Sequence, residues 1–397
     1  MSKVTTLRLT AFDTLFFRES RPFESIGGSE LASVFPPPPR TVLGAIRAAI
    51  GDAMGVNWQR FNDKNSPENQ SVRDVIGYGD DLGKLSLNGI WLSRLKDGKH
   101  ERLYPAPLYL LRKKEGESAA EFERLRIGKP TRTHLGNVRL PALPADKFGF
   151  KPLENHWVTA SGLNKILADE SDLTKDELIS SKELFERETR LGIARDNETR
   201  IVQEGLLYQS SHVRPKSELS LEVELSGVPD AVLNQQVLRL GAEGRMAGLE
   251  VVETLEKSSL PTAPTPTNET KGLIITFLTP ARFADGSWVL PGFTESSSET
   301  KCWTGEINGI ALTLHAAVIG KALREGGWDM AQHKPRDMQS FIPAGSSYYC
   351  TVNTPKQLGD AINKLHGKRL GEDAQLGRGL MVCGLWNKQE FMQEETA

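Results

Sequence analysis

Apolar and polar residues alternate most strictly between positions 219 and 226 of the chain. Every second residue from Leu219 to Leu225 is leucine or valine, and serine or glutamate stands between them. Successive side chains of a β-strand point to opposite faces, so this alternation predicts a strand with one buried face. A shorter alternation over residues 247–251 predicts another strand. Between the two, Pro229 is expected to open a helix that carries Leu233, Val237 and Leu240.

The first part of the chain supplies further elements of the same pattern. Residues 4–12 read as a strand, and apolar residues from Val42 to Ala53 recur at helical spacing. Two extended segments follow near residues 84–95 and 102–111. The predicted order is therefore strand, helix, strand and strand, a long insertion at about residues 112–216, and then an extra strand, a helix and a strand.

A proline-rich break interrupts the pattern after this first half. Residues 258–268 hold three prolines among serine, threonine and asparagine, which continue neither a helix nor a sheet. We interpret residues 257–271 as a linker or long surface loop. It would separate an N-terminal domain of residues 1–256 from a C-terminal domain of residues 272–397.

The second half repeats the order in a more compact form. Strands are predicted over Leu273–Leu278 and Leu380–Trp386, and a helix over Pro355–Leu365. Both halves fit a β-α-β-β-α-β ferredoxin-like unit, the arrangement of RNA-recognition (RRM-like) modules and of many unrelated proteins. The fold class predicted from the sequence is therefore α+β, with two ferredoxin-like domains and a long insertion in the first.

Composition limits the kinds of partner that this chain can have. Of its 397 residues, 38% are apolar and 25% charged, which is typical of a folded globular protein. The net charge of −2 means that a polyanion can be attracted only by a local basic patch. Three widely spaced cysteines suit neither a disulfide framework nor a zinc ribbon. With no secretion signal or apolar membrane span, we expect a soluble, cytoplasmic protein without membrane contact.

The most unusual motif joins four prolines to a helix. Pro36–Pro39 should hold an extended polyproline path, and Thr41 can cap the helix that follows Arg40. The face opposite the apolar stripe carries Gly44, Arg47, Ala48 and Gly51. Such a shallow face with a guanidinium near the positive end of the helix dipole suits a phosphate. The alternative is close packing of helix on sheet, with Arg47 as a surface charge.

Glycine turns precede both predicted final strands. The first contains Gly241, Gly244 and Arg245, and the second is Gly377-Arg378-Gly379. Glycine adopts positive φ without strain, so these turns can present backbone N–H groups to phosphates beside an arginine. Helix-to-strand connections also use glycine for packing alone, which stays open as the alternative.

Two further segments concentrate basic residues. Residues 124–145 contain no carboxylate and include Arg132, His134 and Arg139, which would suit an arm against RNA phosphates or a solvated loop. Residues 187–214 resemble a long hairpin with Arg190 and Arg200 on its arms.

Catalytic patterns are poor, because the seven histidines show no metal-ligand spacing and no nucleophile motif is present. We therefore predict no catalytic residue, no metal site and no cofactor.

Several of these strings together resemble one protein family. They are Phe17-Arg18-Glu19-Ser20-Arg21-Pro22-Phe23, the segment Phe35–Arg47, Glu188-Thr189-Arg190-Leu191-Gly192-Ile193, Glu204-Gly205-Leu206-Leu207-Tyr208, Arg239–Arg245, and Phe341-Ile342-Pro343-Ala344-Gly345-Ser346. In this order they are similar to the RAMP protein called Cmr subunit three of type III-B CRISPR effectors. The match extends from near one end of the chain to the other.

The resemblance implies a non-catalytic RNA-binding subunit used in antiviral defence. It would hold the repeat-derived 5′ tag of CRISPR RNA (crRNA) through its glycine-rich loops, beside the large polymerase-palm subunit and the first backbone RAMP subunit. It also implies that the 187–214 hairpin projects as a thumb, whose Leu191, Ile193 and Ile201 could wedge against a displaced base.

Two other functions stay open at this stage. One is a RAMP-family endoribonuclease that processes repeat RNA, with a histidine activating the 2′-OH. The other is a structural scaffold without RNA contact, which would be favoured if Arg47, Arg245 and Arg378 are buried in salt bridges. We further predict that these three arginines converge on one face.

Overall fold

A computed structural model describes residues 3–19, 30–61, 70–113, 121–134, 136–144, 146–170, 172–196, 198–229, 237–252, 260–296 and 298–387. The elements of residues 3–113 are β1 (Val4–Ala11), β2 (Glu30–Leu31), α1 (Pro39–Ala53), α2 (Trp58–Phe61), α3 (Gln70–Ile76), β3 (Ser86–Lys96), β4 (Lys99–Pro105) and β5 (Leu110–Lys113). Those of residues 121–252 are β6 (Glu121–Arg124), β7 (Arg126–Thr133), β8 (Gly136–Ala142), β9 (Lys151–Pro152), β10 (His156–Thr159), α4 (Ala160–Leu167), β11 (Leu178–Ser180), α5 (Ser181–Leu184), β12 (Phe185–Arg195), β13 (Val202–Pro215), β14 (Leu219–Ser226), β15 (Val237–Arg239) and β16 (Met246–Val251).

The elements of residues 260–387 are β17 (Thr270–Phe277), β18 (Thr294–Glu295), β19 (Trp303–Ile307), β20 (Ile310–Val318), β21 (Leu323–Glu325), β22 (Trp328–Asp329), β23 (Lys334–Pro335), β24 (Gln339–Phe341), β25 (Ser347–Val352), α6 (Leu358–Leu365) and β26 (Met381–Asn387). Short 3-10 turns cover Ala284–Gly286 and Pro355–Gln357. The predicted α+β class is confirmed, because helices pack on sheets whose strands are mostly antiparallel.

Two large sheets organise the chain. The first has eight strands in the order β11-β10-β4-β3-β14-β1-β16-β15, and the second has six in the order β18-β19-β20-β25-β17-β26. In the first sheet β1 lies between β14 and β16, and in the second β17 lies between β25 and β26, with antiparallel pairing throughout. The insertion predicted at about 112–216 contributes β10 and β11, which extend the first sheet beyond β4.

Each sheet has its own core under one amphipathic helix. In the first half, Val42, Ile46 and Ile50 of α1 are buried against β1, β3 and β14. In the second half, Leu358, Ile362 and Leu365 of α6 pack on β17, β25 and β26. Burial of each such side chain stabilises the fold by about 1.5–3 kcal/mol. The apolar side chains of each helix therefore determine which helix face packs on the sheet.

A third apolar cluster joins the two halves. It includes Trp91 and Tyr104 of the first sheet, Leu163 and Ile166 of α4, and residues of the second sheet such as Tyr349. The halves therefore share buried apolar surface and hold one another in place. The cleft between the two halves therefore has walls whose relative position is fixed by this packing.

Strand β14 differs from the half-buried strand that the alternation predicts. Its polar residues Ser220 and Glu222 are buried as well, and Glu222 pairs with Arg102 at 3.2 Å and with Arg8 at 3.6 Å. Arg102 also bonds Glu224 at 2.8 Å. The second face of this sheet therefore carries a covered layer of paired charges, in agreement with the rule that buried charges occur in pairs.

Several predicted elements are wrong in detail. Val237 lies on strand β15 and Leu240 follows it, whereas the sequence placed both on a helix, and Leu233 of that helix lies outside the described residues. The N-cap residue of α1 is Pro38 and the helix begins at Pro39, so Thr41 lies inside the first turn and does not cap the helix. Proline suits this first turn because its missing N–H would have no partner there.

The second half lacks the first helix of the predicted order. Between β17 and β18 the described residues form only the 3-10 turn and loops, while Phe283, Leu290 and Phe293 are buried in the core. Pro280, Gly286, Pro291 and Gly292 interrupt any helix here. The segment therefore covers the sheet as an irregular loop.

The predicted linker is packed against the protein where the structure describes it. Pro261 is buried and its carbonyl lies 2.7 Å from Nε2 of His366, and the Thr262 amide donates to Oδ1 of Asn164 at 2.8 Å. Strand β17 already begins at Thr270, inside the predicted range of 257–271. Residues 257–259 lie outside the described residues.

Candidate functional site

The exposed face of α1 opens into a cleft. Arg40, Gly44 and Arg47 all line it, and a Cβ atom added to Gly44 would meet nothing within 4 Å. Gly51 does not belong to this face, because its added Cβ would lie 2.6 Å from the Trp58 ring. The shallow part of α1 is therefore restricted to its first two and a half turns.

The cleft lies between the two halves of the chain and has a volume of about 670 Å³. This volume is within the range of about 300–1,000 Å³ typical of small-ligand sites. Its cationic side chains are Arg40, Arg47, Arg239 and Arg336. Its aromatic side chains are Trp58, Phe61, Tyr78 and Trp328. Cations beside flat rings are the two features that single-stranded nucleic acid requires of a protein surface.

Arg47 holds the loop that forms one wall of the cleft. Its Nη1 donates to the carbonyl of Gly79 at 3.2 Å and its Nη2 to the carbonyl of Asp81 at 3.3 Å. Burial lowers the pKa of Arg47, and the nearby Asp81 and Asp80 oppose this shift. The guanidinium has five N–H donors, so these two bonds do not use all of them.

Asp80 connects the walls across the cleft. Its Oδ1 accepts from Nη1 of Arg40 at 2.8 Å and from Nη1 of Arg336 at 2.6 Å. Arg336 also bonds Oδ2 of Asp329 at 3.0 Å. One exposed carboxylate therefore sets the distance between α1 of the first half and the β22–β23 segment of the second.

The first glycine turn packs on the segment that follows β1. The Ala242 amide donates to the Phe16 carbonyl at 2.8 Å, and the Leu240 amide to the Arg245 carbonyl at 2.8 Å. Gly241 has a φ of +90°, and a Cβ there would lie 2.5 Å from the Phe16 oxygen. Glycine is therefore required at this position for close packing. Gly244, by contrast, has φ +67° and open space around it.

Arg245 belongs to a separate ion-pair cluster, which we call the hairpin foot. Its members are Asp13, Glu188, Arg190, Arg214 and Arg245. Asp13 pairs with Arg190 at 3.2 Å, with Arg214 at 3.0 Å and with Arg245 at 3.1 Å. Burial raises the pKa of Asp13, but the Thr14 amide and the arginines outweigh this and hold that pKa below its ordinary value.

His212 lies buried beside the hairpin foot. Its Nδ1 is 3.1 Å from Oγ1 of Thr14, its Nε2 is 3.2 Å from Oε2 of Glu243, and its ring stacks on Phe16 at 4.8 Å. Burial and the charge of Arg245 lower the pKa of His212, while Glu243 opposes them. The neutral ring therefore joins β13 to the first glycine turn through hydrogen bonds.

The second glycine turn uses its amides within the protein. The Gly377 amide donates to Ala374 and the Gly379 amide to Pro280, each at 3.0 Å. A Cβ on Gly379 would lie 2.0 Å from the Leu370 oxygen. In this conformation these N–H groups are occupied, and the glycines serve close packing, which was the alternative interpretation of the motif.

Arg378 is buried in an ion pair with Glu325. Its side chain is 3% exposed, and its guanidinium lies 4.4 Å from the centre of the Phe341 ring. Burial lowers the pKa of Arg378 and raises that of Glu325, against the attraction between the two. Of the three arginines predicted to converge, Arg47 lines the large cleft and Arg245 lies in the hairpin foot. Arg378 lines a neighbouring polar cleft of about 340 Å³ that Arg40 also reaches.

These features belong to a chain that matches the CRISPR-associated protein family Cas_Cmr3 over residues 7–386. The chain belongs to this family. The resemblance of its motifs to the Cmr subunit three of type III-B effectors is thereby confirmed.

Solved structures show a distant likeness to this Cas_Cmr3 member. A chain of the cryo-EM structure of the type III-B Cmr-beta bound to cognate target RNA and AMPPnP is 17% identical, with 87% of this chain and 86% of that chain covered and a TM-score of 0.45. A chain of the crystal structure of the Csm3-Csm4 subcomplex of the type III-A CRISPR-Cas interference complex is 9% identical. The match covers 97% of this chain and 100% of that chain, with a TM-score of 0.39. No curated protein matches the chain.

The basic arm of this Cas_Cmr3 member is only partly open to solvent. Arg124 is buried and pairs with Asp169 at 3.2 Å, so the start of the run is structural. Arg132 and His134 are exposed at the end of the β7–β8 hairpin, and Arg139 is half-buried. The sequence prediction of RNA contact therefore applies best to the exposed end of the arm.

The hairpin predicted over 187–214 is present as the antiparallel strands β12 and β13. Phe185 pairs with Pro215 at one end of the hairpin, and Arg195 pairs with Val202 near the turn. Its far end carries exposed apolar side chains, with Leu191 72% and Ile201 68% exposed, and Ile193 is also exposed. Arg200 near the turn is exposed and has a φ of +61°. Arg190 is instead part of the hairpin foot.

Sequence reasoning missed half of the large cleft. Trp58, Tyr78, Trp328 and Arg336 line it, yet none was singled out, and Arg239 was named only as the start of a family motif. The exposed tryptophan after Gly326 and Gly327 was the one usable signal, since two glycines before a tryptophan mark a surface turn.

Among the described residues no group of histidine, cysteine and acidic side chains could hold a metal ion. Within the same residues, no helix combines the length and apolarity required to span a membrane.

Proposed function

We propose that this Cas_Cmr3 member is a non-catalytic RNA-binding subunit of a type III-B CRISPR effector complex. It holds the repeat-derived 5′ tag of crRNA and joins the large polymerase-palm subunit to the first backbone RAMP subunit. The observation that carries the proposal is the cleft on α1, where four arginines and four aromatic rings surround a shallow helix face. Family membership supports the assignment to an effector.

The cleft suits single-stranded RNA better than a folded protein partner or a duplex. Its arginines can pair with phosphates and its rings can stack on bases, and stacking is worth about 1–3 kcal/mol per base. The net charge of −2 gives no general attraction for RNA, so binding depends on this local group of cations. The exposed end of the β7–β8 arm provides further cations for a longer strand.

The two large sheets support the proposal of two ferredoxin-like units. In such a unit the first strand lies between the third and the fourth, and the second strand is beside the third. β1, β3, β14 and β16 follow that order, as do β17, β20, β25 and β26. We regard the missing helix of the second half as a local replacement within the same strand order.

We expect the purified protein to bind RNA without cutting it. Incubation with a labelled repeat-derived RNA, in EDTA and separately in Mg²⁺, should give a shifted complex and no cleavage product on a denaturing gel. The physical reason is that His212, the histidine beside the hairpin foot, is buried and has both ring nitrogens engaged, so it cannot reach a 2′-OH in this conformation. Cleavage in EDTA would instead support the RAMP-family endoribonuclease.

We expect the hairpin to influence register more than affinity. Replacing Ile193–Ile201 by a short Gly-Ser turn should change tag binding by no more than ~1–3 kcal/mol, because wedging on one base is worth about that much. The exposed end carries apolar residues, while the cleft that supplies the phosphate contacts lies elsewhere. Fluorescence anisotropy with labelled tag RNA measures the change.

The hairpin variant should instead disturb assembly of the complex or the position of target cleavage by partner subunits. Circular dichroism must first show that the shortened protein is folded. Loss of all tag binding by a folded variant would make the hairpin the main RNA site and would contradict the assignment to the cleft.

A further inference from the structure

We propose that the cleft on α1 captures one unstacked nucleobase of the bound strand, which stacks on Trp328 over the shallow face of the helix. This inference rests on the proposed RNA-binding function and deepens it, because it names the ligand of one subsite as a single nucleotide. The β22–β23 segment, residues 327–336, forms the rim on which the base stacks, and we call it the lip.

The lip presents an aromatic ring to solvent at the edge of the cleft. Trp328 is 54% exposed and Met330 is 72% exposed, although both side chains are large and apolar. Both line the cleft. Leaving such a ring in water forgoes the stabilisation that its burial would provide, so a flat ligand that covers it gains binding energy.

The lip is held rigid by its own hydrogen bonds. Oδ1 of Asp329 accepts from the amides of Ala331 at 2.9 Å and Gln332 at 3.0 Å, and its Oδ2 pairs with Arg336. The Arg336 amide donates to the Gly327 carbonyl at 2.9 Å. A ring on a preorganised turn loses little entropy when a base stacks on it.

The opposite wall is also fixed. Nε1 of Trp58 donates to Oδ1 of Asp52 at 2.6 Å, and the Trp58 ring meets Phe61 edge to face at 5.2 Å. Arg73 lies 4.9 Å from the centre of the Tyr78 ring and so supports it. Between the two walls lie Gly44, which has no side chain, and Ala48, which has a small one, so there is space for a planar group.

The positions of the charged side chains determine where the phosphates bind in the cleft and where the base binds. Arg40 and Arg336 meet at Asp80 near the lip, and Arg239 is exposed on strand β15. These cations can take the phosphates that flank the captured base, while the apolar rings take the base itself. Stacking accepts every base, so the subsite should fix the position of the strand and tolerate changes of sequence.

The subsite can be detected with 2-aminopurine, whose fluorescence falls when it stacks. A set of tag RNAs, each with 2-aminopurine at one position, is bound to the full chain at saturating protein. We expect one position to be quenched several-fold more than the others. Trp328→Ala should remove that quench and weaken binding about tenfold, whereas Trp328→Phe should largely retain both.

Trp288→Ala is the matched control, because Trp288 is also an exposed tryptophan of the second half but lines a different cavity. It should leave the quenched position unchanged. Equal quenching in wild type and Trp328→Ala, or RNA binding by anisotropy with no quenched position, would overturn the inference alone. Failure of every RNA to bind would overturn the proposed function together with it.

A second variant fills the subsite without removing a side chain. Gly44→Leu places its side chain where no atom lies within 4 Å of the added Cβ, and leucine favours a helix more than glycine does. The variant should be at least as stable as wild type and should still lose the quench. Gly359→Ala, at a helical glycine of α6, is the control and should keep it. A Gly44→Leu protein that retains the full quench would contradict the inference.

Discussion

Replacing Arg378 by alanine should lower the free energy of unfolding by about 3–5 kcal/mol. The side chain is 3% exposed and pairs with Glu325, and its guanidinium covers the Phe341 ring. Without Arg378 the buried Glu325 carboxylate loses its hydrogen-bonded counter-charge and keeps only the weaker attraction of Arg40, while burial already raises its pKa. Urea unfolding at neutral pH, followed by circular dichroism, measures the loss.

Two controls separate the ion pair from a general effect of substitution. Arg378→Met combined with Glu325→Leu should recover most of the lost stability, because an apolar pair of similar size often replaces a buried ion pair at little cost. Arg324→Ala removes an exposed neighbouring arginine and should change stability by less than ~0.5 kcal/mol. A stable Arg378→Ala protein with weakened RNA binding would instead support the phosphate contact that the sequence motif suggests.

Removing two accessible arginines of the cleft should weaken tag binding at least tenfold. Arg40 and Arg239 line the cleft, and both retain solvent exposure. A hydrogen bond to a charged group contributes about 1.5–3 kcal/mol, so loss of even one phosphate contact gives an effect of this size. Arg40→Gln with Arg239→Gln should keep its fold, since exposed ion pairs contribute only about 0–1 kcal/mol. Anisotropy titration with labelled tag RNA measures the affinity.

The matched control removes the same charge from another surface. Lys356 and Lys364 are exposed at the C-terminal helix, and Lys364 pairs with Asp360 at 2.9 Å. Lys356→Gln with Lys364→Gln should bind the tag RNA within about twofold of wild type, the size expected if only the long-range field changes. A similar loss in both double variants would mean that net charge, and not the cleft, determines the affinity.

Elements with a strict period could be predicted from the sequence. Strand β14 follows the alternation of residues 219–226, and α6 follows the helical spacing of Leu358, Ile362 and Leu365. In both, local propensity and the spacing of the apolar side chains agree, although the polar face of β14 is also covered. Val237 was assigned to a helix because its spacing fits one, but the free edge of β16 pairs with it as strand β15. Tertiary hydrogen bonding at a sheet edge cannot be read from local spacing.

The candidate site could be predicted only where one helix carries it. Arg40, Gly44 and Arg47 share a face of α1, so helical periodicity is enough to group them. The position of the lip across the cleft from α1 could not be predicted, because Asp80 and Arg336 are 256 residues apart and meet only when the two halves pack. The hairpin foot is similar, since Asp13 collects arginines from β12, β13 and the first glycine turn.

The burial of Arg378 also could not be predicted from the sequence pattern. A glycine turn with an arginine has the same local form whether its side chain faces water or a buried glutamate. Its counter-charge, Glu325, is 53 residues away on β21. The scaffold alternative, which requires Arg47, Arg245 and Arg378 to be buried in salt bridges, is thus favoured at Arg378 and in part at Arg245, which pairs with Asp13. Arg47 instead bonds two backbone carbonyls and lines the cleft.

The salt dependence of RNA binding tests the central claim most directly. Affinity of the wild type, the Arg40→Gln/Arg239→Gln variant and the lysine control is measured for one single-stranded tag RNA across a series of salt concentrations. Each phosphate contact contributes about 0.7 to the slope of log affinity against log salt concentration. If the cleft holds the strand through these arginines, the cleft variant should have a slope about 1.4 shallower than wild type, and the control should match wild type. A cleft variant with the wild-type slope, whatever its affinity, would contradict the account.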